Sequence, residues 1–516
     1  MMRIVLLNPP SNLIQRGEHL GLGYLAAVLR RAGHEVEIVD AFLSEQNVCE
    51  VLAILNDRAF DLLGVTINAA NLSPALTLSQ IVALGDERCR IVFGGIQATL
   101  CYETLLQTVR WLDWVVLGEG ERTLVELVNC LDGDHDWRHV PGLAYRQGDR
   151  VITTPLRKLI SDLDKLPFPA RDLLDEAKSR GWSCYISSSR GCHWQCSFCA
   201  IRAAYRFTPG KRWRARSIQN TVDEMETLYR ERGITDFYFV DDNFLGPGKR
   251  GKERARLLAQ EILRRGIRCK LRLSCRASDV DRELFSVLKE AGLVEVFIGV
   301  ESGVERALGT FNKGISVQGN VQALTILTDL RIKSDVGFIL LDPFTAVEEI
   351  AENLAFLKQF DGAYVCMHNV TASLEVHEGT PIQTLLASQG LLTGSPLGWQ
   401  YQAIDPRVET LRRLVAKRKS SPLKLLMSIW RVKEQVSEGS PLELELNGLL
   451  REIQQVEIGY AEQMLNFARG DLQGGDPASI EEDTRSNLHR IGEEFGAIAA
   501  EFNFDSAPTI GEMTLE

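Results

Sequence analysis

No run of about 18 uncharged apolar residues occurs in the chain, so a membrane-crossing helix is excluded. The opening "MMRIVLLNPPSN" lacks a basic region and a long apolar stretch; it reads as a first strand rather than a targeting segment. No G-x-G-x-x-G follows that strand, which removes the dinucleotide-binding fingerprint. No internal repeat or low-complexity tract occurs. The eleven cysteines are odd in number and mostly scattered singly, which excludes a simple disulfide framework and suits a reducing, cytoplasmic setting. Most of them read as small buried apolar residues.

At 516 residues, with 25% charged residues, the chain is a globular protein too long for one ordinary core. Its net charge of −11 is uneven: residues 471–516 hold eleven acidic residues against Arg485 and Arg490. This reads as a solvated acidic tail. The remaining body is nearly neutral, so the low pI does not argue against an acidic substrate.

Residues 1–140 alternate apolar runs with helical patterns. "RIVLLN" (3–8), "EVEIVD" (35–40), "DLLGVT" (61–66), "RIVFGG" (90–95) and "DWVVLG" (113–118) read as strands. The alternation indicates an α/β fold with a Rossmann-like, doubly wound parallel sheet, whose ligands bind at strand carboxyl ends. Residues 141–182 read as a loop-rich linker. A second alternation over 183–385 has six strand candidates, at 183–189, 236–242, 270–276, 295–302, 333–341 and 363–370. It implies a partial (β/α)6 barrel of the TIM type, with its active face at the strand C-termini. Residues 386–516 read as a helical C-terminal domain. Within it, nine Lys or Arg against one Glu over 407–433 read as a helix with a solvated basic face; contact with an anionic surface is the other reading.

The chemistry-bearing stretch is "SSSRGCHWQCSFCAIRAAYRF" (187–207), where Cys192, Cys196 and Cys199 follow the first barrel strand. A structural zinc asks for a fourth ligand, and neighbouring His193 is poorly placed to supply one. Three thiolates can instead hold three irons of a [4Fe-4S] cluster and leave the fourth open.

This C-x3-C-x2-C loop, with Phe198 before its last cysteine, resembles the radical S-adenosylmethionine superfamily. The resemblance implies that S-adenosylmethionine chelates the open iron and is cleaved to an adenosyl radical. It further implies contacts to that cofactor from Phe198, from Asp241 and Asp242 in "FVDDNF", from Ser274 and Arg276 in "LSCRAS", and from Glu301 in "GVESG". Arg276 would meet the methionyl carboxylate, and Glu301 the ribose or the amino-acid end. Taken singly, each also reads as a polar strand end or helix cap. One departure is "GFILLDPFTAVEEI", where Asp342 and Phe344 stand in place of a glycine-rich G-x-P-G-x-T turn.

"GLGYLAAVLRRAGHEVEIVD", "VFGGIQAT" and "VVLGEGERTLVEL" resemble the cobalamin-binding domain that precedes many such barrels. That resemblance implies cobalamin contacts from Thr66, Gly94, Gly95, Gly118, Glu119, Gly120 and Glu121. The glycines allow close backbone approach, and the carboxylates would accept from a ribose hydroxyl. The D-x-H-x-x-G motif is absent, so the cofactor would bind without a histidine ligand. Its lower face would be left to water or to the loop near Asn8–Asn12.

The family implies a cobalamin-dependent methyltransferase acting on an unactivated carbon, with an oxidative cyclase or rearrangement enzyme and a non-catalytic sensor as alternatives. Its partners would be a small-molecule or peptide substrate and a flavodoxin- or ferredoxin-like electron donor. The basic-aromatic run "RFTPGKRWRARS" (206–217) reads as a solvated or phosphate-facing loop rather than a nucleic-acid surface.

Overall fold

The computed structural model describes residues 1–11, 17–367, 370–470 and 475–502. Asn12 and the end of the acidic tail therefore lie outside the described residues. The chain forms two compact units. One comprises residues 1–274, 290–292 and 376–400; the other comprises residues 275–289, 293–375 and 401–516.

The first unit opens with β1 (Arg3–Asn8), β2 (Glu35–Asp40), β3 (Leu62–Thr66), β4 (Arg90–Gly94) and β5 (Trp114–Val116). All five are parallel. Successive side chains of a strand point to opposite faces, so β1 sends Val5 and Leu7 into one core and Ile4 and Leu6 into another. Both faces are covered by helices, which is why β1, β3, β4 and β5 read as apolar runs, while β2 at the sheet edge keeps Glu35 and Glu37 exposed. The sheet order β2-β1-β3-β4-β5 reverses direction at β1, and that reversal opens a crevice at the carboxyl ends of β1 and β3.

The segment read as a linker is only partly loop. β6 (Leu143–Gln147) and β7 (Arg150–Thr153) continue the sheet antiparallel beyond β5. Leu143, Ala144 and Tyr145 are buried there. Trp137 packs edge-on against both Trp114 and Tyr145, with ring centroids 5.2 and 4.8 Å apart. The β6–β7 pairing is local, across the turn at Gly148 and Asp149, while Trp114 and β5 join it from more than 20 residues away.

Beyond β7, Arg171 joins distant parts of this unit. Its guanidinium meets Glu18 at 2.6 Å and Glu224 at 2.7 Å and donates to the Tyr185 carbonyl. Glu18 is buried, and burial raises its carboxyl above the usual range while Arg171 opposes that. Then come β8 (Cys184–Ile186), β9 (Ser189–Arg190), β10 (Arg214–Ala215), β11 (Asp236–Phe239) and β12 (Lys270–Arg276). β8, β11 and β12 pair in parallel, and β9 pairs antiparallel with β10.

The second unit holds β13 (Leu293–Glu301), β14 (Lys333–Phe338) and β15 (Val365–Cys366), again parallel. With β8, β11 and β12 they make up the strands of the partial barrel, so the α/β class with a helical C-terminus holds. The C-terminal helices include Pro406–Val415, Leu423–Lys433, Pro441–Ala468 and Pro477–Glu501. No helix among the described residues is long and apolar enough to cross a membrane.

The basic run 407–433 is two helices rather than one with a solvated face, and part of its charge turns inward. Arg418 forms a buried pair with Glu457 at 2.5 Å and stacks on Tyr460. Lys433 donates to the Ala363 carbonyl and lies 4.2 Å from the ring centres of Tyr364 and Trp430. Burial lowers its ammonium to about 8.

Removing one member of a buried ion pair leaves an uncompensated charge, at about 3–5 kcal/mol. Arg171→Met should therefore destabilise the first unit by about that amount, read as a lower urea midpoint. An unchanged midpoint would show that Glu18 does not need the guanidinium.

Candidate cofactor site

A cleft of about 330 Å³ opens at the carboxyl ends of β1, β3 and β4. Its lining includes Thr66, Gly94, Gly95, Gly118, Glu119, Gly120 and Glu121, all of the residues singled out for cobalamin. It also includes Ser187 and Arg190 from the segment leading into the cysteine loop, and Tyr205 from the helix that follows it. The crevice of the doubly wound sheet and the entry to the cysteine loop thus share one wall.

Gly94 leaves room for a bulky ligand. A Cβ added at Gly94 would meet nothing within 4 Å, so no protein atom accounts for the missing side chain. Open space beside a strand end is what close approach by a large ring system requires. The cleft's remaining surface is largely apolar, with Leu6, Leu22, Val65, Val92, Val116 and Leu124 among its walls.

The two carboxylates are engaged with arginines of the same unit. Glu119 accepts from Arg214 Nη1 at 2.8 Å, from the Ile160 amide at 2.7 Å and from Arg190 at 3.4 Å. Glu121 pairs with Arg190 at 2.6 Å. Arg190 also stacks on Tyr24, and Arg214 on Tyr205. Arg214 and Arg216 are buried, Arg216 pairing with Glu224 at 2.5 Å. The basic run 206–217 therefore turns two of its cations inward, where the sequence suggested a solvated loop.

The cysteine loop is pinned at both ends. Gly191 has φ +80°, and a Cβ there would collide with the Arg212 carbonyl at 1.8 Å, so only glycine fits directly before Cys192. The Gly191 amide donates to Asp242 at 2.9 Å. At the other end Cys199 caps the helix Ala200–Phe207. Burial pushes its thiol up to about 11, against hydrogen bonds from the amides of Arg202 and Ile201. Metal coordination would hold such a thiol as thiolate. In mid-loop the Ser197 carbonyl accepts from the Ile382 amide at 3.1 Å. Cys192, Cys196, Phe198 and Cys199 are all half-buried. Among the described residues no three His, Cys, Asp or Glu side chains meet as a single-ion site. A cubane asks for something different, one thiolate on each of three separate irons, and this donor set suits it.

Asp241 and Asp242 part company. Asp241 is buried and fully occupied, accepting from the Ser188 amide at 2.7 Å and from the Ser188 and Ser189 hydroxyls at 2.5 and 2.9 Å. It braces the strand end rather than facing a ligand. Asp242 remains exposed although it lies deep among protein atoms. That burial, with Asp241 beside it, raises its carboxyl to about 6 against the Gly191 amide and the arginines. Ser274 lies 3.4 Å from the Tyr238 hydroxyl.

Arg276 and Glu301 belong to the second unit. There they are joined by Lys313, whose carbonyl accepts from Arg276 and whose ammonium meets Glu301 at 2.8 Å. Glu301 has φ +66° at an irregularity in the β13–β14 pairing. Asp342, at the departed strand-five turn, is buried and held by Arg306 at 2.9 Å. Sequence reasoning missed Arg190, Arg214 and Lys313. "SSSRGC" did carry one signal, an arginine two residues before the first cysteine.

Two family models match the chain, the B12 binding domain over residues 12–128 and the Radical SAM superfamily over residues 186–357. An uncharacterized methyltransferase of Pyrococcus horikoshii is 30% identical over 417 residues, spanning 79% of this chain and 87% of that protein. The chain belongs to the B12-binding radical SAM family. Its cofactors are accordingly a [4Fe-4S] cluster, S-adenosylmethionine and cobalamin. An anaerobic magnesium-protoporphyrin IX monomethyl ester cyclase of Cereibacter sphaeroides is 28% identical over 367 residues, covering 66% of this chain and 56% of that protein. In fold, the chain resembles the cobalamin-dependent S-adenosylmethionine radical enzyme OxsB. That structure, with aqua-cobalamin bound, matches with a TM-score of 0.73 at 18% identity, over 100% of this chain and 82% of that one.

The vacant space at Gly94 yields a test. Gly94→Leu adds a side chain where no protein atom stands, so thermal unfolding should stay within about 2 °C, a small surface-like effect. Cobalamin affinity should fall by about tenfold or more, near 1.4 kcal/mol, measured by absorbance titration. Undiminished affinity would move the corrinoid away from β4.

Proposed function

We propose that this B12-binding radical SAM enzyme methylates an unactivated carbon of a small-molecule or peptide substrate. One observation carries the proposal. The carboxylates of "GEGE" on the cobalamin cleft are bound by Arg190, two residues from the first cluster cysteine. Such an arrangement suits chemistry in which both cofactors serve one substrate atom. The likeness, over 79% of this chain, to a protein named as a methyltransferase supports the same reading.

In this reading S-adenosylmethionine, cleaved by one electron from the cluster into methionine and a carbon-centred adenosyl radical, would supply the radical chemistry, and cobalamin would supply the methyl group. The chain's own residues position them. Cys192, Cys196 and Cys199 hold three irons and leave one open. Asp242, exposed beside the loop, takes the amino group of S-adenosylmethionine, and Phe198 and Ser274 line the approach. Arg276 takes the methionyl carboxylate and Glu301 the ribose or amino-acid end. Gly94, Gly95, Gly118 and Gly120 admit the corrinoid. Glu119 and Glu121 orient the arginines around it rather than binding ribose directly. A flavodoxin- or ferredoxin-like protein donates the electron. None of the eleven cysteines is in a disulfide, which supports residence in the cytoplasm.

The second reading is oxidative cyclisation or rearrangement with the same cofactors, favoured by the likeness to a protein named as a cyclase.

An anaerobic assay separates them. The reconstituted enzyme is supplied with cobalamin, reductant, S-adenosylmethionine and candidate substrates, and both nucleoside products are quantified. Equal S-adenosylhomocysteine and 5′-deoxyadenosine are expected. Deoxyadenosine alone would replace methylation by the second reading. Cys196→Ala should bring deoxyadenosine to background, and persistent cleavage by that variant would overturn the cluster assignment.

A further inference from the structure

His19 sits on the wall of the cobalamin cleft and was not among the histidines that the sequence brought forward. It is the N-cap of the helix Leu20–Arg31, and its side chain accepts from the Leu22 amide through Nδ1 at 3.2 Å. An imidazole nitrogen that accepts an N–H carries no proton itself. Burial lowers the ring's proton affinity while Asp40 opposes that, which favours the neutral form. In a neutral ring whose Nδ1 accepts, the proton resides on Nε2.

Two further observations keep the ring where it is. The Asp40 carboxylate takes the His19 backbone amide at 3.0 Å, fixing the residue from its main chain. A Cβ added at Gly21 would meet His19 Cε1 at 3.0 Å and Nδ1 at 3.3 Å. A glycine in the first helical turn thus gives the imidazole its room, at the usual cost of a helical glycine. Among the described residues His19 makes hydrogen bonds through its amide and Nδ1, and none through Nε2.

We propose that His19 serves cobalamin as a hydrogen-bond donor, its Nε2–H directed to an oxygen acceptor of the corrinoid, and not as an axial ligand of cobalt. Ligation through Nε2 needs that nitrogen unprotonated, which would move the proton to Nδ1 and set two N–H groups against each other at the helix cap. One histidine can therefore cap the helix and donate into the cleft, but it cannot cap and ligate together. The proposal rests on the cleft being the cobalamin site.

The test uses the full chain loaded with cob(II)alamin, in samples with natural and with nitrogen-15-labelled histidine. The electron paramagnetic resonance spectra should be indistinguishable, because no histidine nitrogen is bound to cobalt. A nitrogen splitting that changes from triplet to doublet on labelling would overturn the proposal. His19→Asn keeps a good N-cap but is too short to present a donor at the position of Nε2. Its thermal midpoint should match the wild type, while its cobalamin Kd should rise about 2- to 10-fold, the worth of one hydrogen bond. Equal affinity in the two proteins would also overturn the proposal. A wild-type chain that binds no cobalamin would instead remove the cleft assignment, and this inference with it.

Discussion

Glu119 and Glu121 could not remain in this fold without Arg190 and Arg214. All four side chains are at least four-fifths removed from solvent, and isolated charges there would be driven to neutralise or to pull the turn open. Each carboxylate instead meets a guanidinium within 2.8 Å. The cations come from β9 and β10, the ribbon that brackets the cysteine loop, while the anions come from the turn that starts the helix Gly120–Asp132. Coulomb attraction in a poorly screened interior is therefore what couples the cleft at the ends of β1, β3 and β4 to the cysteine loop. The aromatic faces of Tyr24 and Tyr205 beneath the two guanidinium groups add to it.

The same logic of shared anchors runs through the cluster loop. Asp241 and Asp242 are adjacent, yet one spends all its capacity on Ser188 and Ser189 while the other holds a single amide and stays exposed. A buried, satisfied carboxylate rigidifies the strand end. An exposed one with a raised pKa beside it is the kind of group that functional sites concentrate. The doublet therefore pairs a saturated, buried carboxylate with one that is still open to solvent.

What the sequence made legible was local. The 3–2 cysteine spacing, the apolar strands and the glycine turns each declare themselves within a dozen residues, and the cleft gathers every residue read as a cobalamin contact. What stayed hidden depends on partners far along the chain. β6 and β7 look like loop until Trp137 is seen bridging Trp114 and Tyr145. The basic run over 407–433 looks solvated until Glu457, on another helix, takes Arg418. The arginine partners of Glu119 and Glu121 come from beyond residue 189. Charge counted along a sequence cannot tell a solvated cation from one half of a buried pair.

Strand five shows how the fold answers a departure from pattern. A glycine-rich turn binds through bare backbone, and Asp342 with Phe344 gives that up. In exchange the Asp342 carboxylate accepts from the Phe344 amide at 2.8 Å and from Arg306 at 2.9 Å, while Arg306 also takes Glu349 at 2.7 Å. The Thr345 hydroxyl accepts from the Asp342 amide at 2.9 Å. Flexible backbone has been replaced by a turn closed on its own side chains. Such a turn has few free amides to offer a ligand. In the same unit Glu301 and Arg276 are held in place through Lys313.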